Sequence, residues 1–286
     1  MKNLILLMLL VPITSKPQTM KDFRSTISFI YIEDSLHNPI PNGTSFAVGI
    51  PSDKIKDRTY SYLITAKHVL QKQDGRIYSS VLIRMNTKDS SRFTFYPLNV
   101  SGPHKNVYFH SDPSVDIAVI SYAPTRDDYL FTYMGPEYIS TKEEFNNLAI
   151  EEGTEVFFTG LFVPFTGEHK IYPIVRFGRV SLLPNEKVEW LGFKREMILV
   201  ETSSFGGNSG APVYFKIKNS NKTYFTVGGL LNGTYRDAAE IRVIQTSPTP
   251  VAIYNNGISG ITPVYKIREI LFSKELVHER EIADQN

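Results

Sequence analysis

An all-β fold, sandwich or barrel, is what the sequence predicts, on three observations. Short apolar stretches recur along the chain, separated by Gly, Pro, Asn and Asp. Tyr and Phe are plentiful, at 16 and 18, and β-branched residues are common beside them. Few segments carry the apolar period of a helix. The candidate strands, in order, are Thr26–Ile32, Thr44–Ile50, Tyr60–Thr65, Ser80–Met85, Ile117–Tyr122, Glu155–Thr159, Ile174–Leu182, Ile198–Glu201, Pro212–Lys216 and Phe225–Leu231.

The clearest helical segment is Val264–Lys274, where Pro263 favours a helix start. A short helical turn is expected at His68. Lys142–Ile150 is expected to connect two halves. Thr246–Tyr254, with Pro248 and Pro250, reads as an insertion loop. The polar tail His278–Asn286 is expected to fray.

Composition narrows the functional classes. A net charge of +2 is too small to argue for a nucleic-acid partner. With no cysteine, a disulfide framework, a thiol nucleophile and Cys-ligated metals are excluded. The six histidines show no HExxH spacing, so no metal site and no cofactor are expected. Lys2, the apolar run Leu4–Val11, then Pro12 and Thr14-Ser15 have the layout of a secretory signal peptide over residues 1–15. The run is too short for an integral membrane span. A secreted or periplasmic location follows, or a cytoplasmic one if Met20 is the true start.

Three short motifs carry chemistry. In Phe205-Gly206-Gly207-Asn208-Ser209-Gly210-Ala211-Pro212 a serine stands between glycines. Glycine permits a tight turn on which backbone N–H groups converge, an arrangement that suits the oxyanion of acyl transfer. In Leu63-Ile64-Thr65-Ala66-Lys67-His68-Val69-Leu70 a strand delivers a histidine at its end. Imidazole can accept a serine proton and return it to a leaving group. In Val115-Asp116-Ile117-Ala118-Val119-Ile120 an aspartate opens an apolar strand. A carboxylate there needs a partner, and an imidazole N–H supplies one. Asp112 competes for that role but lies among Ser111, Pro113 and Ser114, in a turn.

The order is His, Asp, Ser, with 48 residues between the first two and roughly twice that to the third. Here the sequence resembles the chymotrypsin-like serine peptidases, above all their cysteine-free bacterial members. The blocks are Thr65-Ala66-Lys67-His68, Asp116-Ile117-Ala118 and Gly207-Asn208-Ser209-Gly210-Ala211-Pro212. Gly43-Thr44-Ser45-Phe46 and Gly229-Leu230-Leu231-Asn232-Gly233 accompany them. The likeness spans roughly residues 25 to 275.

The resemblance implies two antiparallel six-stranded β-barrels, at about 25–140 and 150–260, and a C-terminal helix at about 264–274. It implies a catalytic triad of His68, Asp116 and Ser209, with an oxyanion hole from the N–H groups of Gly207 and Ser209. Substrate would be a protein or peptide, bound along Asn232 and Gly233, with Ser203 at the floor of the specificity pocket. Serine at that place gives a basic substrate side chain no counter-charge. Asn208 stands where many animal members carry an acid that pairs with a new N-terminus, so activation by that route is not expected. The alternative is a latent enzyme or a pseudo-peptidase binding module on the same fold.

Overall fold

The computed structural model describes residues 20–285 apart from 90, 104–105, 125–128, 131, 191, 220–221 and 241–250. The expected signal peptide and most of the expected insertion loop lie outside the described residues. After a short helix α1 (Met20–Ser25), the first half contains β1 (Ile27–Glu33), β2 (Pro39–Pro51), β3 (Thr59–Thr65), β4 (Ser80–Asn86), β5 (Phe93–Asn99), β6 (Val107–Phe109) and β7 (Ala118–Ser121). A 3-10 turn, Lys67–Leu70, follows β3 and carries His68.

These seven strands form an antiparallel sheet in the order β5-β4-β1-β2-β3-β7-β6. The expected closed six-stranded barrel is therefore replaced by an open, barrel-like sheet with β5 and β6 at its edges. Both edge strands are poor partners for further pairing. β6 has only three residues. β5 contains Pro97, which has no N–H to donate and is confined to an edge. Central β2 is buried from Gly43 to Ile50 on both of its faces, as an interior strand covered on two sides should be. Phe29, Phe46, Leu63, Ile64 and Ile83 are fully buried in this half. Each such side chain contributes on the order of 1.5–3 kcal/mol by leaving water.

The helix α2 (Lys142–Asn146) begins the connection between the halves. Its start is fixed by a capping box in which Thr141 accepts from the Glu144 N–H and Glu144 accepts from the Thr141 N–H. The second half contains β8 (Glu155–Gly160), β9 (Ile174–Leu182), β10 (Val188–Trp190), β11 (Phe193–Arg195), β12 (Ile198–Thr202), β13 (Pro212–Asn219), β14 (Lys222–Glu240) and β15 (Val251–Pro263). Six of these close a barrel in the order β12-β15-β14-β13-β8-β9, as expected for this half. β10 and β11 form a separate hairpin. The stretch Val251–Tyr254, expected within an insertion loop, belongs to β15 and pairs with β14.

The C-terminus differs from expectation. The helix expected at Val264–Lys274 stops at Leu271, as α3 (Tyr265–Leu271). A second helix, α4 (Lys274–Ala283), is capped by Ser273. The tail is thus ordered and docked rather than frayed. Arg280, buried, donates to the Tyr62 hydroxyl and to the Leu271 carbonyl. Asp284 accepts from Tyr60 and Ser52. Among the described residues no helix is long and apolar enough to cross a membrane.

Candidate active site

The three motif residues come together where the two halves meet. His68 arrives on the 3-10 turn after β3, and Asp116 on the approach to β7, which pairs with β3. The His68 N–H donates to Asp116 Oδ1 at 3.0 Å, and His68 Nδ1 lies 2.7 Å from Oδ2. Facing a carboxylate, Nδ1 carries the proton in the neutral ring. Nε2 is then left as the acceptor.

Asp116 is buried, at 8% exposure. Burial would raise its pKa, but the bonds and charge of His68 and the charge of Arg195 outweigh it and hold the group down at about 2. It is therefore an anion across the neutral range. Two residues that the motifs did not single out for this role also hold it. Asn232 Nδ2 donates to the Asp116 carbonyl at 3.0 Å and to Oδ2 at 3.1 Å, and Thr262 fixes the amide by donating to Asn232 Oδ1 at 2.6 Å. Arg195, at the end of β11, donates to Oδ2 at 3.3 Å.

Ser209 follows a tight turn in which the Asn208 N–H donates to Phe205 O at 3.0 Å and Gly207 adopts φ +90°. Among the described residues the N–H groups of Gly207 and Ser209 have no acceptor, while their neighbours Asn208 and Gly210 donate theirs. Two braces hold this loop. Buried Asn208 accepts from the Phe205 N–H at 2.8 Å and donates to Leu161 O at 2.6 Å. Thr44, from the other half, donates its N–H to Ser209 O at 2.9 Å and its hydroxyl to Gly207 O at 2.8 Å. The same hydroxyl accepts from the Leu161 N–H at 3.0 Å.

The Ser209 hydroxyl donates to the Asn232 carbonyl at 3.3 Å and makes no hydrogen bond to His68. Asn232 therefore offers its carbonyl to Ser209 and its side chain to Asp116. On β14, residues 232–234 have β15 on one side, and β13 ends its pairing at Leu230. Among the described residues no strand pairs with the other edge of Gly233 and Thr234, while buried Asn232 sits at the bulge between Leu231 and Gly233. Ser203 stands exposed just beyond β12, beside buried Ser204, whose hydroxyl lies 2.7 Å from that of Ser259.

No protein-family model matches the chain, and no curated protein does. Solved structures do resemble it. The MamO protease domain from Magnetospirillum magneticum, in its apo form, superposes with a TM-score of 0.51 at 15% identity, over 87% of this chain and 96% of that one. A mutant of Rv3671c from M. tuberculosis, in an inactive form, gives 0.41 at 12% identity over 92% and 89% of the two chains. The chain has the chymotrypsin-like fold. In this chain the closed six-stranded barrel of the second half stands beside the open seven-stranded sheet of the first, with helices at the C-terminus.

Sequence reasoning missed Arg195 and the side-chain role of Asn232. Arg195 lies in no recognisable block, and its strand Phe193–Arg195 has only three residues. The blocks mark Asn232 for substrate binding, and its amide's role appears only in the fold, where Thr262 and Asp116 flank it.

Proposed function

We propose that this protein is a serine endopeptidase acting through His68, Asp116 and Ser209. The observation that carries the reading is the coincidence, in one hydrogen-bonded network, of a carboxylate-oriented imidazole and a serine beside two undonated backbone N–H groups. Ser209 Oγ attacks the peptide carbonyl carbon, and His68 Nε2 takes its proton. The carbonyl oxygen, now an anion, is received by the N–H groups of Gly207 and Ser209. His68 returns the proton to the leaving amine, and water then cleaves the acyl-enzyme by the same path. Asp116 keeps the imidazole oriented and balances its charge.

Substrate would bind as an extended strand along the edge at Asn232 and Gly233, a form of β-augmentation. The exposed Ser203 provides no negative charge for a basic side chain, so cleavage after Lys or Arg is disfavoured. A small or medium apolar residue before the scissile bond fits better.

A second reading has its own support. Ser209 points its hydroxyl at Asn232 O rather than at His68, so the resting state is consistent with a latent enzyme or a pseudo-peptidase. Incubation with a peptide library, read by mass spectrometry, separates the two. New termini that vanish in Ser209→Ala support the peptidase. An undigested library at all pH values from 6 to 9 would favour the latent or non-catalytic module.

A further inference from the structure

We infer that Arg195 is a positioning residue that sets how strongly Asp116 supports a charged His68. This rests on the proposed triad. Arg195 ends the small hairpin β10–β11, which lies outside the barrel's hydrogen-bonded sheet. Its side chain is only 15% exposed, and Asp116, itself 9% exposed there, is its one anionic partner among the described residues. The buried Arg195 Nε finds no hydrogen-bond acceptor among those residues. A guanidinium brought this far from water is costly unless paired, so the hairpin places it there for Asp116.

The hairpin is anchored at several points. Trp190, 2% exposed, packs where a side chain at Gly260 would stand. Lys187, just ahead of β10, pairs with Asp112 at 3.5 Å, on the same loop that carries Asp116. Among the described residues, the charged or titratable groups facing Asp116 are His68 from the 3-10 turn and Arg195 from the hairpin. Asn232, from β14, is neutral.

Both His68 and Arg195 address the same oxygen, Oδ2. The carboxylate's charge is thereby shared. A fixed cation beside the His–Asp pair disfavours the imidazolium, which is the form His68 takes when it holds the serine proton. Arg195 thus orders Asp116 but weakens its support of that form. Removing the cation leaves Asp116 held by His68 and Asn232 and makes His68 the stronger base.

The test is the NMR titration of His68 in the chain carrying Ser209→Ala, with the resonance identified by loss in His68→Gln. It needs no turnover, so it is independent of whether the protein cleaves peptides. In R195Q and R195M, both without charge, the His68 midpoint is expected to lie above the parent value. In R195K it is expected to stay close to the parent value. If the parent cleaves substrate, the acid limb of kcat/KM should move up by the same amount in R195Q. Coincident titrations of R195Q, R195M and the parent would overturn the inference. So would a shift in R195K as large as in R195Q, which would make the effect one of shape rather than charge.

Discussion

Asn232 donates its side-chain amide to Asp116 Oδ2 at 3.1 Å while its own carbonyl accepts from the Ser209 hydroxyl at 3.3 Å. One residue of the second half thus touches both Asp116 and Ser209, the two ends of the proposed triad. Asn232→Ala leaves a buried carboxylate with one fewer donor, a loss of about 1.5–3 kcal/mol of stability. Misplacement of Asp116 is expected to cost about 10- to 100-fold in kcat/KM. Asn232→Asp should be worse, because it sets a second carboxylate against a buried one. Urea melts and kinetics of the two variants check this ordering; equal effects would show that the amide's donation is not what matters.

Asn208 braces the Ser209 loop from inside. Asn208→Ala strands the Phe205 N–H and the Leu161 carbonyl, at about 1–3 kcal/mol. Activity should fall with stability, since the same loop presents the undonated N–H groups. Because the brace is internal, trimming the N-terminus to different residues should leave activity level. A gain confined to one particular new N-terminus would contradict this.

Gly210 adopts φ +87°, and a methyl group there would run into the Thr44 carbonyl. Gly210→Ala therefore loses roughly 1–2 kcal/mol from the backbone conformation alone, with the clash added. At Gly207, φ +90°, the added carbon would lie 2.8 Å from Val163 Cγ2 and 3.1 Å from Cδ2 of buried Leu161, side-chain rather than backbone atoms. Gly207→Ala should cost less stability than Gly210→Ala yet still impair acyl transfer. Thermal melts beside kinetics of both variants would reveal that split.

Asp116 is held down at about 2, below the ordinary carboxylate value near 3.9. A depressed carboxylate stabilises the fold above the unfolded value and loses that contribution as pH falls through its folded value. The group should thus contribute on the order of 2 kcal/mol above about pH 4 and lose it toward pH 2. Denaturant melts of the parent and Asp116→Asn at pH 5 and pH 2.5 check the sign. The parent should lose more stability over that interval than the variant does.

Much of this was legible in the sequence. The motifs of His68, Asp116 and Ser209 stand out because glycine, small residues and a strand-end histidine leave recognisable blocks. Candidate strands such as Ile174–Leu182 keep their bounds in the structure. What was hidden has physical reasons. Pro97 disguises edge strand β5, and β6 is too short to show alternation. Pro248 and Pro250 lie just ahead of β15 and made its start read as loop. The helix α4 looked like a frayed tail because its inward face amounts to Leu276 and Arg280, one of them charged. Arg195 could not be read from the sequence, since only the folded hairpin brings it to Asp116.

The most direct measurement is labelling by a fluorescent fluorophosphonate, which reacts with a serine only where a base and an oxyanion hole activate it. The expected result is labelling of the parent at Ser209, mapped by mass spectrometry, and none of Ser209→Ala or His68→Ala. A well-folded parent that stays unlabelled, or one labelled as strongly after His68 is removed, would contradict an assembled triad.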